Sequence, residues 1–285
     1  MIIHGLDTNT IYYSNTGSFI ILEEVEPTIY NSGKKDFRVR IRFLENWYGF
    51  NYEKTYSTKM IRKGLSNITI MPRNPYYPSL YNIACTGIYD KQLHAKKIKY
   101  VWKDMISRCY NPYDKAYKLY GAKGVKVCYR WLCYEYFLED LSKMEHFDDY
   151  RNIGSIYQLD KDCLQQNIPV GQRIYSLKTC ILIPNYENSK LANIKTDGYY
   201  CVQKYNNNYQ ARLSKNYDSK YLGMYSNEIA AAIVRDNYLR LNYPNDYTCI
   251  YNFPDRNYPM KLTDAVKYRT KSEIMCYQEM CEVVE

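Results

Sequence analysis

The chain has 285 residues, 46% of them hydrophobic and 24% charged, which is enough apolar material for two or three small folded domains and excludes a disordered chain. The net charge is +9, and the segment 91–130, with eleven basic and two acidic residues, accounts for the whole excess. No apolar run approaches the ~20 residues of a membrane-spanning helix, and the start MIIHGLDTNT lacks a signal-peptide pattern, so we expect a soluble, cytoplasmic protein without a membrane partner.

The concentrated positive charge of residues 91–130 is typical of a surface that binds a polyanion, because each neutralised phosphate releases condensed counterions. A basic surface that contacts only solvent explains the same charge equally well. Arg108 and Lys123 lie in this segment and are candidate contacts to a DNA backbone.

The ten cysteines are scattered along a chain too long for a disulfide-stabilised miniprotein, so we expect reduced and buried thiols. Three of them fall inside the motifs described below: Cys109, Cys128 and Cys180. These three either bind a structural Zn²⁺ ion with a fourth ligand or are small buried side chains. No Cys-x-x-Cys pair is present, which favours burial.

The first 90 residues predict a small β-rich module that ends in a linker. Between Phe37 and Phe43 hydrophobic residues and arginines alternate strictly, which predicts a half-buried antiparallel strand. Its three arginines face either solvent or a phosphate backbone, and solvent is the commoner case. Three prolines interrupt regular structure and indicate the linker: Pro72, Pro75 and Pro78.

An amphipathic helix is predicted from Ile98 to Cys109, where apolar residues recur at spacings of three and one. The helix should end at Asn111, because proline disfavours the helical conformation of the residue before it. A glycine-containing turn at 120–124, a strand at 125–128 and a shorter helix near Phe137 should follow, with Trp131 in the core.

Residues 156–188 predict a strand, an acidic corner, a loop, a second strand and a helix, which is a ββα arrangement. The first strand runs into Asp160-Lys161-Asp162, and the second ends at Pro184. Asn188 lies on the segment after it.

Four motifs in this order resemble the HNH-type proteins of bacteriophages, the free-standing homing-endonuclease group. They are W-x-x-M-I-x-R-C-Y-N-P from Trp102, Y-G-x-x-G-V-x-V-C-x-x-W from Tyr120, L-D-K-D from Leu159 and Y-S-x-x-T-C-x-x-x-P-x-x-x-N from Tyr175. The resemblance implies that Asp160 and Asn188 bind Mg²⁺ or Mn²⁺ and act in the hydrolysis of DNA.

The residue after Asp160 departs from the HNH pattern, because Lys161 stands where active enzymes have the histidine that removes a proton from water. A lysine ammonium is protonated at neutral pH and is a poor general base unless it is buried. Lys161 is nevertheless the residue at the catalytic position. His146 lies upstream and is a weak candidate for the missing base, since a lone histidine is more often a packed or surface residue.

Residues 196–255 predict three strands and a helix packed across one face of the sheet. Ser226 is the predicted N-cap, and Ala230, Ile233, Val234, Tyr238 and Leu241 form the predicted packed stripe of the helix. The motifs Y-Q-A-R-L, Y-L-G-x-Y, E-x-A-A-A and N-F-P resemble the AP2 DNA-binding domain. That resemblance implies a sheet lying in the major groove of double-stranded DNA.

Alternation along the strands predicts which residues of this module contact DNA, since apolar residues should face the helix and polar ones should face away. The candidates are Lys204, Gln210, Arg212, Lys215 and Lys220. Ordinary polar residues on an exposed sheet are the alternative.

The predicted fold class is α+β, with four parts: a β-rich module at 1–90, an HNH-like ββα domain at 91–195, an AP2-like domain at 196–255 and a tail at 256–285. The first functional hypothesis is a viral, metal-dependent DNA endonuclease in the cytoplasm of the host cell. The second is a DNA-binding or regulatory protein that retains the HNH fold without cleaving DNA. The third is an accessory protein that binds a host protein.

Overall fold

The computed structural model describes residues 1–152, 154–185, 198–215, 218–244, 246 and 249–259. The fold is mixed α+β, as predicted, with several small antiparallel sheets. The chain divides into two compact units, the first formed by 1–121 and 127–142 and the second by 122–126 and 143–285. The sequence predicted domain boundaries near residues 90 and 195, and the two units divide the chain at other positions. The predicted boundaries therefore stay predictions. Within the described ranges, every helix is too short or too polar to cross a bilayer.

The first unit contains four antiparallel strands in the order β3-β4-β5-β6, preceded by a two-stranded ribbon of β1 and β2. Its strands are β1 (Ile2–Ile3), β2 (Leu6–Asp7), β3 (Tyr12–Ser14), β4 (Gly17–Ile29), β5 (Lys35–Trp47) and β6 (Phe50–Ser57). The short β7 (Lys126–Val127) lies at the point in the chain where the two units divide. Its helices are α1 (Thr58–Gly64), α2 (Lys96–Tyr110) and α3 (Tyr134–Leu141).

The predicted alternating strand is confirmed in β5, where Val39, Ile41 and Phe43 are fully buried. Phe37 is 40% exposed, because it lies on the part of the β4–β5 hairpin that extends beyond β3. The arginine face is neutralised by neighbouring carboxylates: Arg40 pairs with Glu23, and Arg42 pairs with Glu53 at 2.6 Å. These exposed ion pairs support the interpretation that this face contacts solvent.

The proline-containing segment 72–78 has no regular helix or strand, but it is packed rather than extended through solvent. Met71 and Tyr76 are buried in the same hydrophobic cluster as the strands. Tyr76 donates a hydrogen bond to Glu135 at 2.7 Å, which joins the segment to α3. The predicted linker is therefore part of the core of the first unit.

The predicted amphipathic helix is confirmed as α2, and it ends where Asn111-Pro112 was expected to end it. It buries Ile98, Trp102, Met105, Ile106 and Cys109, and each large apolar side chain contributes roughly 1.5–3 kcal/mol to folding. The indole N–H of Trp102 donates to the carbonyl of Trp131 at 2.8 Å. This bond holds α2 against the turn that precedes α3.

Asp140 is the buried polar residue that completes this core. Its Oδ2 accepts a hydrogen bond from Trp131 Nε1 at 3.0 Å and one from Arg130 Nε at 2.9 Å. A buried indole N–H without an acceptor costs free energy, so the carboxylate is a structural requirement of the tryptophan core.

We expect Asp140→Ala to lower the free energy of unfolding of the first unit by about 2–4 kcal/mol, because it leaves Trp131 Nε1 and Arg130 without their buried acceptor. Chemical denaturation followed by tryptophan fluorescence measures this unit alone, since the three tryptophans of the chain, Trp47, Trp102 and Trp131, all lie in it.

The matched control is Glu139→Ala, which removes the exposed acidic neighbour that also pairs with Arg130. It should change stability by less than about 1 kcal/mol. Equal effects of the two substitutions would contradict the structural role of Asp140.

The second unit combines the ββα corner with a three-stranded sheet and one long helix. Its elements are α4 (Phe147–Arg151), β8 (Tyr157–Asp160), β9 (Ile174–Tyr175), β10 (Ile181–Pro184), β11 (Val202–Tyr205), β12 (Asn208–Lys215), β13 (Asp218–Tyr225) and α5 (Glu228–Asn242). Helix α4 was not predicted, since its five residues are too few to show a helical period.

The C-terminal module has the predicted three strands and helix, with antiparallel sheet order β11-β12-β13. Ala211, Ala230 and Val234 are fully buried between the sheet and α5. Two local predictions were wrong. The N-cap is Asn227 rather than Ser226, because the Asn227 side chain accepts the Ile229 N–H at 2.8 Å, and Leu241 is 44% exposed near the end of the helix.

A buried carboxylate on α5 holds this module together. Asp236 is fully buried and accepts hydrogen bonds from the Phe253 N–H at 2.7 Å and from Asn252 Nδ2 at 3.3 Å. Asn252 in turn accepts the Tyr200 N–H at 2.6 Å, just before β11. The segment after α5 is thereby tied both to the helix and to the start of the sheet.

Candidate functional site

The acidic corner after β8 is a tight turn built around the Asp160 side chain. Asp160 Oδ1 accepts the backbone N–H groups of Asp162 at 2.8 Å and Cys163 at 2.7 Å. Asp160 itself is 4% exposed, and burial raises the pKa of its carboxyl above the usual value. In the β8–β10 pair its partner is Ile181, which places the corner at one end of this two-stranded ribbon.

Lys161 is buried as well, and it is held by charged and aromatic neighbours. Its Nζ lies 2.6 Å from Asp162 Oδ1 and 5.5 Å from the centre of the Tyr175 ring. These are the contacts of a lysine whose amine is engaged in an ion pair and lies against an aromatic ring. The structure thus places the Lys161 amine on Asp162.

Asp162 is the centre of this electrostatic arrangement. The same Oδ1 that contacts Lys161 also accepts a hydrogen bond from Arg173 NH1 at 2.7 Å. Partial burial acts to raise the pKa of Asp162, but the two cations outweigh it and the net shift is downward. Gln165 completes the loop, since its amide donates to the Lys161 carbonyl at 2.6 Å and accepts the Ile174 N–H at 3.0 Å.

His146 does not lie beside this corner. Its ring stacks on Tyr157 with 4.5 Å between the ring centres. Tyr157 begins β8 and Asp160 ends it, which separates them by about 10 Å along the strand. His146 therefore packs against Tyr157 and is not positioned to act as a general base beside Asp160.

The predicted metal ligands are only in part within the described residues. Asp160 offers a carboxylate oxygen, the ligand type that Mg²⁺ prefers, whereas Asn188 lies outside the described residues. Over the described ranges, no three His, Cys, Asp or Glu side chains form a group that could hold a metal ion.

The three motif cysteines have the properties of packed thiols. Cys109 and Cys180 are buried, and burial raises the pKa of Cys180 to about 12 and that of Cys128 in the same direction. Both shifts have burial as their main cause, which is the behaviour of thiols packed in a protein core.

The sheet of the C-terminal module has one face covered by α5 and one open face, which we call the outer face. Cross-strand partners share a face, and the pairs on the outer face are Gln203 with Gln210, Arg212 with Tyr221, and Gln210 with Met224. Arg212 is exposed and donates to Gln210 Oε1 from Nε at 3.3 Å and from NH2 at 3.1 Å. The prediction that Gln210 and Arg212 point away from the helix is confirmed.

Two of the predicted DNA-contact residues lie on the helix side of the sheet. Lys204 pairs with Tyr209 and Lys220 with Leu213, and both partners contact the core beneath α5. Lys220 Nζ donates to the Tyr238 hydroxyl at 2.6 Å. The Lys215 side chain lies outside the described residues.

A β-bulge explains the position of Lys220. The register of β12 and β13 shifts between Ala211 and Arg212, so that Leu222 packs toward the helix together with its neighbour Gly223. Strict alternation counted back from Tyr225 would place Lys220 on the outer face. The bulge inserts one extra residue into β13, and this turns Lys220 to the helix side instead. The bulge brings Tyr221 to the outer face instead, a position that alternation in the sequence does not reveal.

In the basic segment, α2 turns one face to solvent with Lys96, Tyr100 and Lys103 at helical spacing. Arg108 is committed to local packing, since its guanidinium lies 4.9 Å from the centre of the Tyr120 ring and 3.6 Å from Asp104. Lys123 is exposed.

The chain matches no protein-family model, no curated protein and no solved structure at a significant level. The resemblances to HNH-type and AP2-type proteins therefore stay predictions.

We expect Asp162→Asn to lower the thermal unfolding midpoint at pH 7, with an effect that disappears in acid. The pKa of Asp162 is lower in the folded protein than its ordinary value of 3.8, so the ionised form stabilises the fold. That stabilisation is present above pH 3.8 and is lost as the pH falls through the lowered pKa.

Thermal scans of the wild type and the variant between pH 7 and pH 2.5 test this. The control is Asp148→Asn, an exposed residue paired with Arg151 at 3.2 Å, which should have little effect at any pH. A difference for Asp162→Asn that stays constant down to the lowest pH would contradict the electrostatic origin.

Proposed function

We propose that this chain is a phage-type protein that binds double-stranded DNA sequence-specifically through the outer face of its C-terminal sheet. The observation that carries the proposal is the one-sided packing of β11–β13, which leaves a polar sheet face with an oriented glutamine–arginine pair. A two-stranded or three-stranded antiparallel sheet fits the major groove of B-DNA, where base edges carry the sequence information.

The residues of the outer face match the chemistry of base recognition. An arginine guanidinium binds the two acceptors of guanine, and a glutamine amide binds the donor and acceptor of adenine. Because Arg212 is held by Gln210 Oε1, its guanidinium is restrained before DNA arrives, which lowers the entropy lost on binding. Gln203, on the neighbouring strand, extends the same row of amides.

Phosphate contacts are assigned to basic side chains that the structure leaves exposed. Lys123 and the α2 face formed by Lys96, Tyr100 and Lys103 belong to the segment that holds the excess charge. Phosphate contacts supply affinity and salt dependence without sequence preference.

Replacing Gln210 and Arg212 together by alanine should weaken the specific complex about tenfold or more and relax base preference, because one bidentate base contact is worth about 1–3 kcal/mol. Duplexes selected by the wild type from a random library provide the probe, and fluorescence anisotropy at several salt concentrations gives affinity and salt slope.

The matched control is Lys220→Ala, which removes a positive charge from the helix side of the same sheet. It should leave the selected sequence unchanged. Unaltered affinity and selection in the double variant would remove the outer face from the proposal. Co-purification with a host protein that survives nuclease treatment, together with no selected duplex, would favour the accessory-protein hypothesis.

A second candidate function is metal-dependent DNA cleavage at the ββα corner. It is favoured by the order of β8, the Asp160 turn and β10, followed by a helical residue at Asn185. Asp160 and Asn188 would hold Mg²⁺ or Mn²⁺. A bound divalent ion lowers the pKa of water and stabilises the leaving oxygen, and it also offsets the cost of burying the Asp160 charge. Lys161, with its ammonium stabilised by Asp162, contributes positive charge next to the phosphate rather than a base.

If the chain cleaves DNA, nicking of supercoiled phage or host DNA with Mg²⁺ or Mn²⁺ should fall by a factor of about 100 or more in Asp160→Asn and Asn188→Ala. Asp160→Asn is the sharper variant, because an amide oxygen can still accept the N–H groups of Asp162 and Cys163 and keep the turn. If the wild type does not nick DNA, or if all three proteins nick it equally, cleavage at this corner is excluded. The proposal is then reduced to DNA binding.

A further inference from the structure

Two cysteines of the first unit lie side by side in its core. Cys85 and Cys133 are partners in an isolated parallel β-bridge, in which the Cys85 N–H donates to the Leu132 carbonyl and the Tyr134 N–H donates to the Cys85 carbonyl, each at 2.9 Å. Bridged residues on neighbouring strands have α-carbons about 5 Å apart, within the roughly 4.4–6.8 Å that a disulfide spans. Both side chains are buried in the same hydrophobic cluster.

The two thiols differ in their electrostatic surroundings. The Cys133 thiol acts as a hydrogen-bond donor to the Cys85 sulfur and is the main cause that lowers the pKa of Cys85, with smaller contributions from the Tyr48 hydroxyl and the Gly87 N–H. The same interaction, together with burial, raises the pKa of Cys133. The lowered pKa favours Cys85 as the attacking thiol, and the β-bridge places Cys133 where it can resolve an adduct on Cys85.

Tyr48 covers the pair. It lies with Gly49 in the two-residue turn between β5 and β6, both with positive φ, 59° and 88°. Its ring packs against the cluster that holds both cysteines, and it stacks at 4.7 Å on Tyr129, which is 62% exposed. Positive φ at both residues is what a tight two-residue hairpin turn requires, and this turn places the Tyr48 ring against the cluster.

We propose that Cys85 and Cys133 are a thiol-oxidation site that forms a reversible intramolecular disulfide with low-molecular-weight disulfides. The Cys85 thiolate attacks one sulfur of oxidised glutathione, the S–S bond breaks, and one glutathione leaves as a thiolate that takes up the proton lost from Cys85. Cys133 then loses its proton and attacks the Cys85 sulfur, which releases the second glutathione. Two protein thiols are oxidised, and one oxidised glutathione is reduced to two thiols.

The site has a direct test that needs no substitution. The intact chain is treated with oxidised glutathione at increasing ratios to glutathione, unreacted thiols are alkylated, and non-reducing peptide mapping identifies linked cysteines. We expect a Cys85–Cys133 linked peptide that disappears on reduction, and a thermal midpoint of the first unit raised by about 5–10 °C, because the disulfide closes the long segment containing α2. The buried single thiols Cys109 and Cys163 serve as internal controls.

Variants then assign the roles. Cys133→Ala should accumulate the glutathione adduct at Cys85, whereas Cys85→Ala should leave Cys133 unmodified. Tyr48→Ala should speed disulfide formation severalfold, since it removes the ring above the pair. The proposal would be overturned if no Cys85–Cys133 linked peptide formed under conditions that already modify Cys109 and Cys163. Preferential linkage of any other pair of cysteines would overturn it too, as would an adduct on Cys133 in the Cys85→Ala variant.

Discussion

The buried carboxylate of Asp236 is the interaction on which the C-terminal module depends. A charge in a core is tolerated only with several partners, and here the Phe253 N–H, Asn252 and Arg235 supply them. Arg235 precedes Asp236 on α5, whereas Phe253 and Asn252 come from the segment after the helix, so satisfying one carboxylate also closes the chain over the helix. Asn252 extends the connection to the Tyr200 N–H, and the first strand of the sheet begins at a defined place. These contacts lie on the helix side of the sheet, and Arg212 on the outer face is exposed.

Within the second unit, Gln166 links this module to the ββα corner. Gln166 donates to the Cys249 carbonyl at 2.9 Å and accepts the Tyr251 N–H at 3.0 Å, so the loop after the acidic corner is bonded to the segment that Asp236 holds. The acidic corner itself is ordered by its own side chains: Asp160 accepts hydrogen bonds from the turn, and Asp162 forms ion pairs with Lys161 and Arg173. This arrangement explains how Lys161 can be buried, and it gives the corner a structural role in the second unit.

The elements that could be predicted from the sequence are those with a strong local period. Helix α2 and strand β5 show apolar residues at helical or alternating spacing over many residues, and both formed as expected. Helix α4 was missed because it is one turn long, and the proline segment was taken for a linker because prolines disfavour regular structure without excluding burial. In the candidate site, Asp160 and the pair Gln210 and Arg212 could be found from the sequence, since a corner after a strand and alternation on β12 are local signals. Arg173, which completes the Asp162 cluster, has no such signal.

The sequence by itself determined the fold class, the order of strands and helices, and the basic segment, because hydrophobic period and composition are properties of neighbouring residues. Only the tertiary structure decided which polar residues share a surface. The bulge opposite Ala211 and Arg212 turned Lys220 to the helix side and Tyr221 to the outer face, and strand register placed Lys204 beside Tyr209. The pairing of Cys85 with Cys133 likewise depends on two distant segments meeting in one core. Register, bulges and long-range contacts are set by the packing of the whole unit, and local patterns carry no information about them.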